Sequence, residues 1–147
     1  IKALYCFSEE NGKLLWKGEK FSRIMDMVFS NKGTIIFGRK DGTSPEGVIN
    51  LDLTSGEEIW SQFNIPQREF GKISYLNNSD YILLYRNPRW LRGNNKTNYL
   101  LLLDSATGNI AKEIRDTKDI YVGFIGRNRI VVKKNKNISI VEVAPIK

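Results

Sequence analysis

The stretch "NLDLTSGEEIW", residues 50 to 60, decides the fold, because the chain writes nearly the same phrase three times. A close copy, "CFSEENGKLLW", stands at 6 to 16, and a weaker one, "LLDSATGNIAK", at 102 to 112. Each copy has an apolar run, a polar stretch that ends in glycine, and a second apolar run. This order predicts a strand, a tight turn and a strand, which is a β-hairpin. With their flanking strand residues, the repeat phrases span 4–17, 48–61 and 99–112.

The turn residues of the phrase have a local physical reason. Gly12, Gly56 and Gly108 supply the positive φ that closes a tight turn. Asp52 and Asp104 open two of the turns, where a carboxylate can accept hydrogen bonds from backbone N–H groups two or three residues on. Read alone, these two aspartates resemble general bases. In their repeat setting, capping of the turn is the favoured interpretation.

The spacing of the turn glycines predicts the architecture. Gly12 and Gly56 are 44 residues apart, and Gly56 and Gly108 are 52 apart. Each interval holds one further pair of apolar runs separated by a turn, so each repeat contains two hairpins and four strands. Repeats of this length without helical periodicity are typical of propeller blades. The chain is therefore predicted to be all-β, a partial β-propeller of four-stranded antiparallel blades.

The number of predicted strands bears on whether they could form a closed propeller. About thirteen strands are predicted: the last two of one blade, two full blades, and three of a last partial blade at 120–147. We interpret the whole chain, 1–147, as one partial propeller with about three blades' worth of strands. Propellers close with four to eight blades, and open arcs expose strand edges. We therefore expect a piece of a longer propeller, or an arc that another chain completes.

The repeat resembles a known family. An apolar strand, Asp, two residues, Thr or Ser, Gly, three residues and Trp is similar to the repeat of the pyrroloquinoline-quinone-like β-propellers, which include quinoprotein alcohol dehydrogenases and BamB-type outer-membrane assembly lipoproteins. The copy from Asp52 to Trp60 matches best; the first has Ser8 for Asp, and the third has Lys112 for Trp. The resemblance implies that Trp16 and Trp60 dock on neighbouring blades as packing residues. It also favours a periplasmic or extracellular location.

The residues that could carry chemistry are few. The chain has no histidine, which removes the usual triads, imidazole metal sites and most acid–base schemes near neutral pH. Cys6 is the only cysteine and aligns with strand residues of the other repeats, so a small strand residue is favoured over a nucleophile. The quinone-dependent dehydrogenases of the family use a pair of adjacent cysteines, which is absent here. We predict no catalytic residue, no metal ligand and no cofactor.

Two basic clusters stand out, "RNPRWLRGNNK" at 86 to 96 and "RNRIVVKKNKN" at 127 to 137, and the second is interpreted as largely the solvent side of a strand pair. The net charge is +7, and the first cluster lengthens the second repeat interval. Such insertions usually lie on the surface, and a solvated loop with its Trp packed on its own blade is the plainest interpretation. Interleaved basic and aromatic side chains could also bind a protein or acidic surface, or, as a weaker alternative, nucleic acid. The possible binding loop consists of Arg86, Arg89, Trp90, Arg92 and Lys96.

Three functions remain open. The favoured hypothesis is a non-catalytic propeller that serves as a protein-binding or assembly scaffold, whose partner is either its own further blades or another chain. The alternatives are part of a quinone-dependent dehydrogenase, or a carbohydrate-binding propeller in which Trp90 and Tyr99 stack on sugar rings. No apolar run approaches the length of a membrane span. The chain starts at Ile1 inside a predicted strand, so the absence of a leader carries no information.

Overall fold

The computed structural model describes residues 2–30, 33–43, 45–65, 72–76, 79–85, 98–116, 120–126, 128–134 and 136–145. All regular structure in these ranges is β-strand, and no helix there could cross a membrane. The strands are β1 (Lys2–Phe7), β2 (Leu14–Phe21), β3 (Arg23–Phe29), β4 (Gly33–Arg39), β5 (Gly47–Asp52), β6 (Glu58–Gln62), β7 (Lys72–Tyr75), β8 (Tyr81–Tyr85), β9 (Asn98–Asp104), β10 (Ile110–Asp116), β11 (Ile120–Gly126), β12 (Arg129–Lys134) and β13 (Asn137–Glu142).

The described strands form four antiparallel sheets. Their orders are β1-β2, β3-β4-β5-β6, β10-β9-β8-β7 and β11-β12-β13. Every neighbouring pair follows directly in sequence, so each sheet is a meander of hairpins. The prediction of an all-β chain with four-stranded antiparallel sheets is confirmed.

Two edge strands continue beyond the apolar runs that predict them. The β2 strand continues past Trp16 to Phe21, and the β10 strand continues from Ile110 to Asp116. Both pair on one side only. An edge strand of an antiparallel sheet can keep its ladder while carrying charged side chains. The charged residues that follow Trp16 and Ile110 therefore do not mark the end of either strand.

The chain divides into two compact units, 1–68 and 69–147. In the first unit, β4 and β5 are the central strands and are buried along almost their whole length. Burial on both faces accounts for their continuous apolar sequence. The interpretation of 1–147 as a single domain stays a prediction. The core of this unit consists of Phe21, Ile36, Ile49 and Leu51, with Leu4, Trp16, Ile24, Met27 and Phe63 packed against it.

The second unit has its own core between the β7–β10 sheet and the β11–β13 sheet. The Tyr81 hydroxyl donates a hydrogen bond to the backbone carbonyl of Ala144, which ties the start of β8 to the segment after β13. Burial, together with the nearby carboxylates of Asp80 and Asp104, raises the pKa of Tyr81. The core residues are Tyr81, Leu83, Leu100, Leu102, Ile130 and Val143, with Tyr85 and Phe124 beside them.

Candidate functional site

The three repeat turns share one backbone geometry. In each, the first turn residue donates its N–H to the carbonyl of the residue after the glycine at 2.8 Å. The glycine N–H donates back to the carbonyl of that first residue at 2.8–2.9 Å. The glycine φ angles are 66°, 74° and 75°, in the left-handed region that side chains disfavour. The turns are Ser8–Lys13, Asp52–Glu57 and Asp104–Asn109.

The aspartates that open two of these turns are bound to their own backbone. Asp52 Oδ1 accepts hydrogen bonds from the N–H groups of Thr54 at 2.7 Å and Ser55 at 2.9 Å, and from the Thr54 hydroxyl. Asp104 Oδ1 accepts the equivalent N–H of Ala106 at 2.7 Å. The Thr54 hydroxyl and then the two backbone donors lower the pKa of Asp52. A carboxylate held ionised in this way is suited to capping a turn and poorly suited to accepting a proton.

The lowered pKa of Asp52 gives a prediction about acid stability. A group whose pKa is depressed by folding stabilises the protein above its unfolded pKa, and this contribution is lost as the pH falls through the folded pKa. The Asp52→Asn variant should therefore melt below the parent at neutral pH, and the gap should narrow between about pH 5 and about pH 2. Thermal melts across that range measure it. Glu10→Gln, in the exposed first turn, is the control, and a gap that does not change with pH would contradict the assignment.

Trp16 makes the most specific contact between two sheets of the first unit. Its Nε1–H donates to the backbone carbonyl of Leu53 at 2.7 Å. Its indole lies against the second turn, because a methyl group added at Gly56 would stand 2.5 Å from Cδ2 of the ring. Cys6 Sγ lies 3.9 Å from the same carbonyl. The turn glycine therefore closes the turn and also leaves room for the tryptophan of the preceding repeat.

Comparisons with known proteins agree with this arrangement of sheets. No family model and no curated protein matches the sequence. Among solved structures, BamB from Moraxella catarrhalis matches with a TM-score of 0.59 at 14% identity, over 94% of this chain and 36% of that one. Hsv2 from Kluyvelomyces marxianus matches with a TM-score of 0.50 at 16% identity, over 82% of this chain and 35% of that one.

The fold is a partial β-propeller. At these identities the likeness establishes the fold alone, and it confirms the architecture predicted from the three repeat phrases. The chain spans about a third of the length of each solved structure it resembles. Each four-stranded sheet is accordingly a blade, and membership of the pyrroloquinoline-quinone-like family stays a prediction.

The second repeat tryptophan, Trp60, occupies the same position in its hairpin as Trp16 and is buried, whereas Trp16 is half-buried. Trp60 is 9% exposed and its Cα lies opposite Asn50 across the β5–β6 pair. Asn50 is itself buried, and its Oδ1 has no hydrogen-bond partner within the described ranges. A methyl group added at Gly33 would stand 2.4 Å from that oxygen. Sequence reasoning missed this close approach, because it depends on which residues face each other across β4 and β5.

A charged cluster lies where β4 leads into β5. The Glu46 carboxylate is nearly buried and lies 3.5 Å from Arg39 and 3.7 Å from Arg23. Lys40, in the same connection, contacts the Glu58 carboxylate at 3.0 Å. Partly exposed ion pairs of this kind contribute little to stability. The cluster therefore adds little to stability, and it presents basic side chains at the surface of the β4–β5 connection.

The possible binding loop lies outside the described residues. Arg86, Arg89, Trp90, Arg92 and Lys96 all fall between β8 and β9, two strands that pair directly, with Tyr85 opposite Leu100. This connection joins the second and third strands of its blade, as the β4–β5 connection does in the other complete blade. Within the described ranges, no group of three or more Asp, Glu, Cys or His side chains is placed to hold a metal ion.

Proposed function

We propose that this chain is part of a non-catalytic β-propeller of the pyrroloquinoline-quinone-like repeat type, which acts as a scaffold for protein binding or assembly. One observation carries the proposal: the polar and aromatic residues that recur in the repeat make hydrogen bonds to backbone groups of the fold. The Asp52 carboxylate accepts hydrogen bonds from its own turn, and the Trp16 indole is bound to the next turn. Neither is left to act on a substrate.

The connections between second and third strands are the best candidates for the contact surface. The β4–β5 connection presents Lys40 beside the Arg39–Glu46 pair, and residues 86–96 place three arginines around a tryptophan in the sequence. Arginine and tryptophan are enriched among the residues that dominate protein interfaces. With a net charge of +7, the partner surface that fits best is acidic, because complementary charge favours encounter and suppresses wrong partners.

A site-specific photo-crosslink tests this surface. A photoreactive amino acid is placed at position 90, in the loop, or at position 29, where Phe29 is 63% exposed on β3. In cells that express the full-length protein, we expect position 90 to give a discrete crosslinked protein and position 29 to give none. Equal crosslinking at both positions, or none at position 90, would remove the loop from the contact surface.

A quinone titration tests the non-catalytic assignment. Pyrroloquinoline quinone and calcium are added to the full-length protein, and the bound chromophore is quantified after gel filtration. We expect no stoichiometric chromophore. A ratio of one quinone per protein would overturn the scaffold proposal in favour of the dehydrogenase alternative.

Trimming the loop separates folding from binding. Replacing residues 87–97 with Asn-Gly should leave the melting temperature nearly unchanged, because the free-energy cost of loop closure varies only slowly with length. The β8–β9 pairing, with Tyr85 opposite Leu100, favours such a short hairpin. The crosslinked partner should be lost or bound more weakly. Unchanged partner affinity in the trimmed protein would direct the search to the opposite end of the blades.

A further inference from the structure

The turn of the first repeat contains a chemically reactive pair of residues. Asn11-Gly12 is the one place in the sequence where asparagine is followed by glycine, and both residues are exposed. The backbone nitrogen of the residue after an asparagine can attack the side-chain amide carbon, and glycine places no Cβ in the way of the cyclic imide that forms. A methyl group added at Gly12 would meet no described atom within 4 Å. The surroundings of the turn therefore leave space for the ring.

The fold holds the side chain of Asn11 by its oxygen. Asn11 Oδ1 accepts a hydrogen bond from the backbone N–H of Lys13 at 3.0 Å. Negative charge develops on Oδ1 when the amide carbon is attacked, so an N–H donor fixed at this atom stabilises the transition state. The Gly12 N–H, by contrast, donates to the Ser8 carbonyl at 2.9 Å. That bond must open before the nitrogen can attack, and exposed turns are among the segments that open most readily.

The other two repeat turns show what the residue before the glycine does for the fold. In the second turn, the Ser55 hydroxyl accepts the N–H of Glu57 at 3.2 Å. In the third, the Thr107 hydroxyl accepts the N–H of Asn109 at 3.3 Å. Asn11 makes the equivalent bond in the first turn. The fold therefore needs only a hydrogen-bond acceptor at this position, which a hydroxyl supplies without a reactive amide.

We infer that Asn11 is a site of spontaneous deamidation in the folded protein, and that its isoaspartate product loosens the first turn. The Gly12 nitrogen forms a bond to Cγ of Asn11, the Cγ–Nδ2 bond breaks, and Nδ2 leaves as ammonia with the proton that the Gly12 nitrogen gives up. The product is a succinimide. Water then opens this ring at either of its carbonyl groups, which leaves aspartate or isoaspartate at position 11. Water is the only co-reactant.

Isoaspartate alters the turn more than aspartate does. Its main chain runs through the former side-chain carbonyl carbon, which adds one backbone atom between Ser8 and Lys13. The Ser8 N–H donates to the Lys13 carbonyl at 2.8 Å, and the Gly12 N–H donates to the Ser8 carbonyl at 2.9 Å. A longer main chain cannot keep both bonds at these lengths. The same hairpin carries Trp16, whose indole N–H is bound to the second repeat turn, so the reaction weakens a hairpin that joins two sheets of the first unit.

Peptide mapping of aged protein tests the site. The full-length protein is incubated in mildly alkaline buffer well below its melting temperature, digested under acidic conditions and followed by mass spectrometry. We expect the Asn11 peptide to gain the mass difference between an amide and an acid at least about tenfold faster than the Asn109 peptide, a difference of about 1.4 kcal/mol in activation free energy. Asn109 is the internal control, because it is exposed in the third turn and is followed by Ile110. An isoaspartate-specific methyltransferase should label the Asn11 peptide and leave the Asn109 peptide unlabelled.

Two variants separate the reaction from its consequence. Asn11→Ser keeps the acceptor that Ser55 provides in the second turn, so it should melt as the fresh parent does and show no reaction at position 11. Asn11→Asp, studied when fresh, carries the charge of the product on a normal main chain. The isoaspartate fraction of the aged parent, separated by ion exchange, should melt below both variants. Equal rates at Asn11 and Asn109, an intact Asn11 amide throughout the incubation, or an isoaspartate fraction that melts with Asn11→Asp would overturn the inference.

Discussion

Replacing Gly56 with alanine is expected to lower the free energy of unfolding by about 2–5 kcal/mol. Two costs combine at this position. The φ of 74° imposes about 1–2 kcal/mol on a residue with a Cβ. The new methyl group would stand 2.5 Å from the Trp16 indole, and such overpacking costs about 1–3 kcal/mol. Urea unfolding of the parent and the variant measures the sum.

Gly12 provides the control, because the chain contains the same turn without the tryptophan. Gly12→Ala meets the same backbone restriction, with φ of 66°, and no described atom lies within 4 Å of the added methyl group. It should cost only the backbone share, about 1–2 kcal/mol. Equal losses in the two variants would mean that the indole yields to the methyl group without cost, or that Gly12 is itself covered.

The coupling between Gly56 and Trp16 can be measured directly. In a Trp16→Ala background the indole is absent, so Gly56→Ala should cost about 1–2 kcal/mol, as Gly12→Ala does in the parent. The double-mutant cycle then gives a coupling energy of about 1–3 kcal/mol. A coupling energy near zero would show that the two residues do not share one contact.

The features that were predictable from sequence are the local ones. A turn glycine with positive φ and an aspartate that caps its own turn act within six residues. The sequence of those six residues is therefore enough to predict the turn. The repeat spacing then extended this local pattern to four-stranded blades. Strand ends were less predictable, as β2 and β10 show, because an edge strand continues through charged residues while its backbone still pairs.

The features that sequence could not supply depend on backbone atoms and on facing residues. The acceptor for the Trp16 N–H is the carbonyl of Leu53, and any residue there would offer the same carbonyl. The space that Gly33 leaves for Asn50 depends on the register of β4 against β5. The Arg39–Glu46 pair likewise joins the two ends of the β4–β5 connection, and the sequence does not predict the conformation of that connection. Site residues of this kind emerge only when the strands are placed side by side.

Trp60→Ala is the second substitution with a large expected effect, about 3–5 kcal/mol of lost unfolding free energy. The side chain is 9% exposed, so its removal leaves a cavity lined by neighbours that relax only in part. Its position in the repeat assigns the side chain to packing, because Trp16 packs on the core from the same position in the preceding repeat. Equilibrium urea unfolding, with an unchanged slope against denaturant, is the measurement.

Phe29→Ala is the matched control for Trp60, since it also truncates a large aromatic ring within a blade. Phe29 is 63% exposed, and a surface truncation of this kind should change stability by no more than about 0.5 kcal/mol. If the Trp60 side chain serves packing alone, the Trp60→Ala protein should bind the crosslinked partner as tightly as the parent does. The comparison is made under conditions in which the variant is still folded. A Trp60→Ala protein that keeps its full stability and loses that partner would assign the indole to recognition, and the repeat would then carry binding residues as well as structural ones.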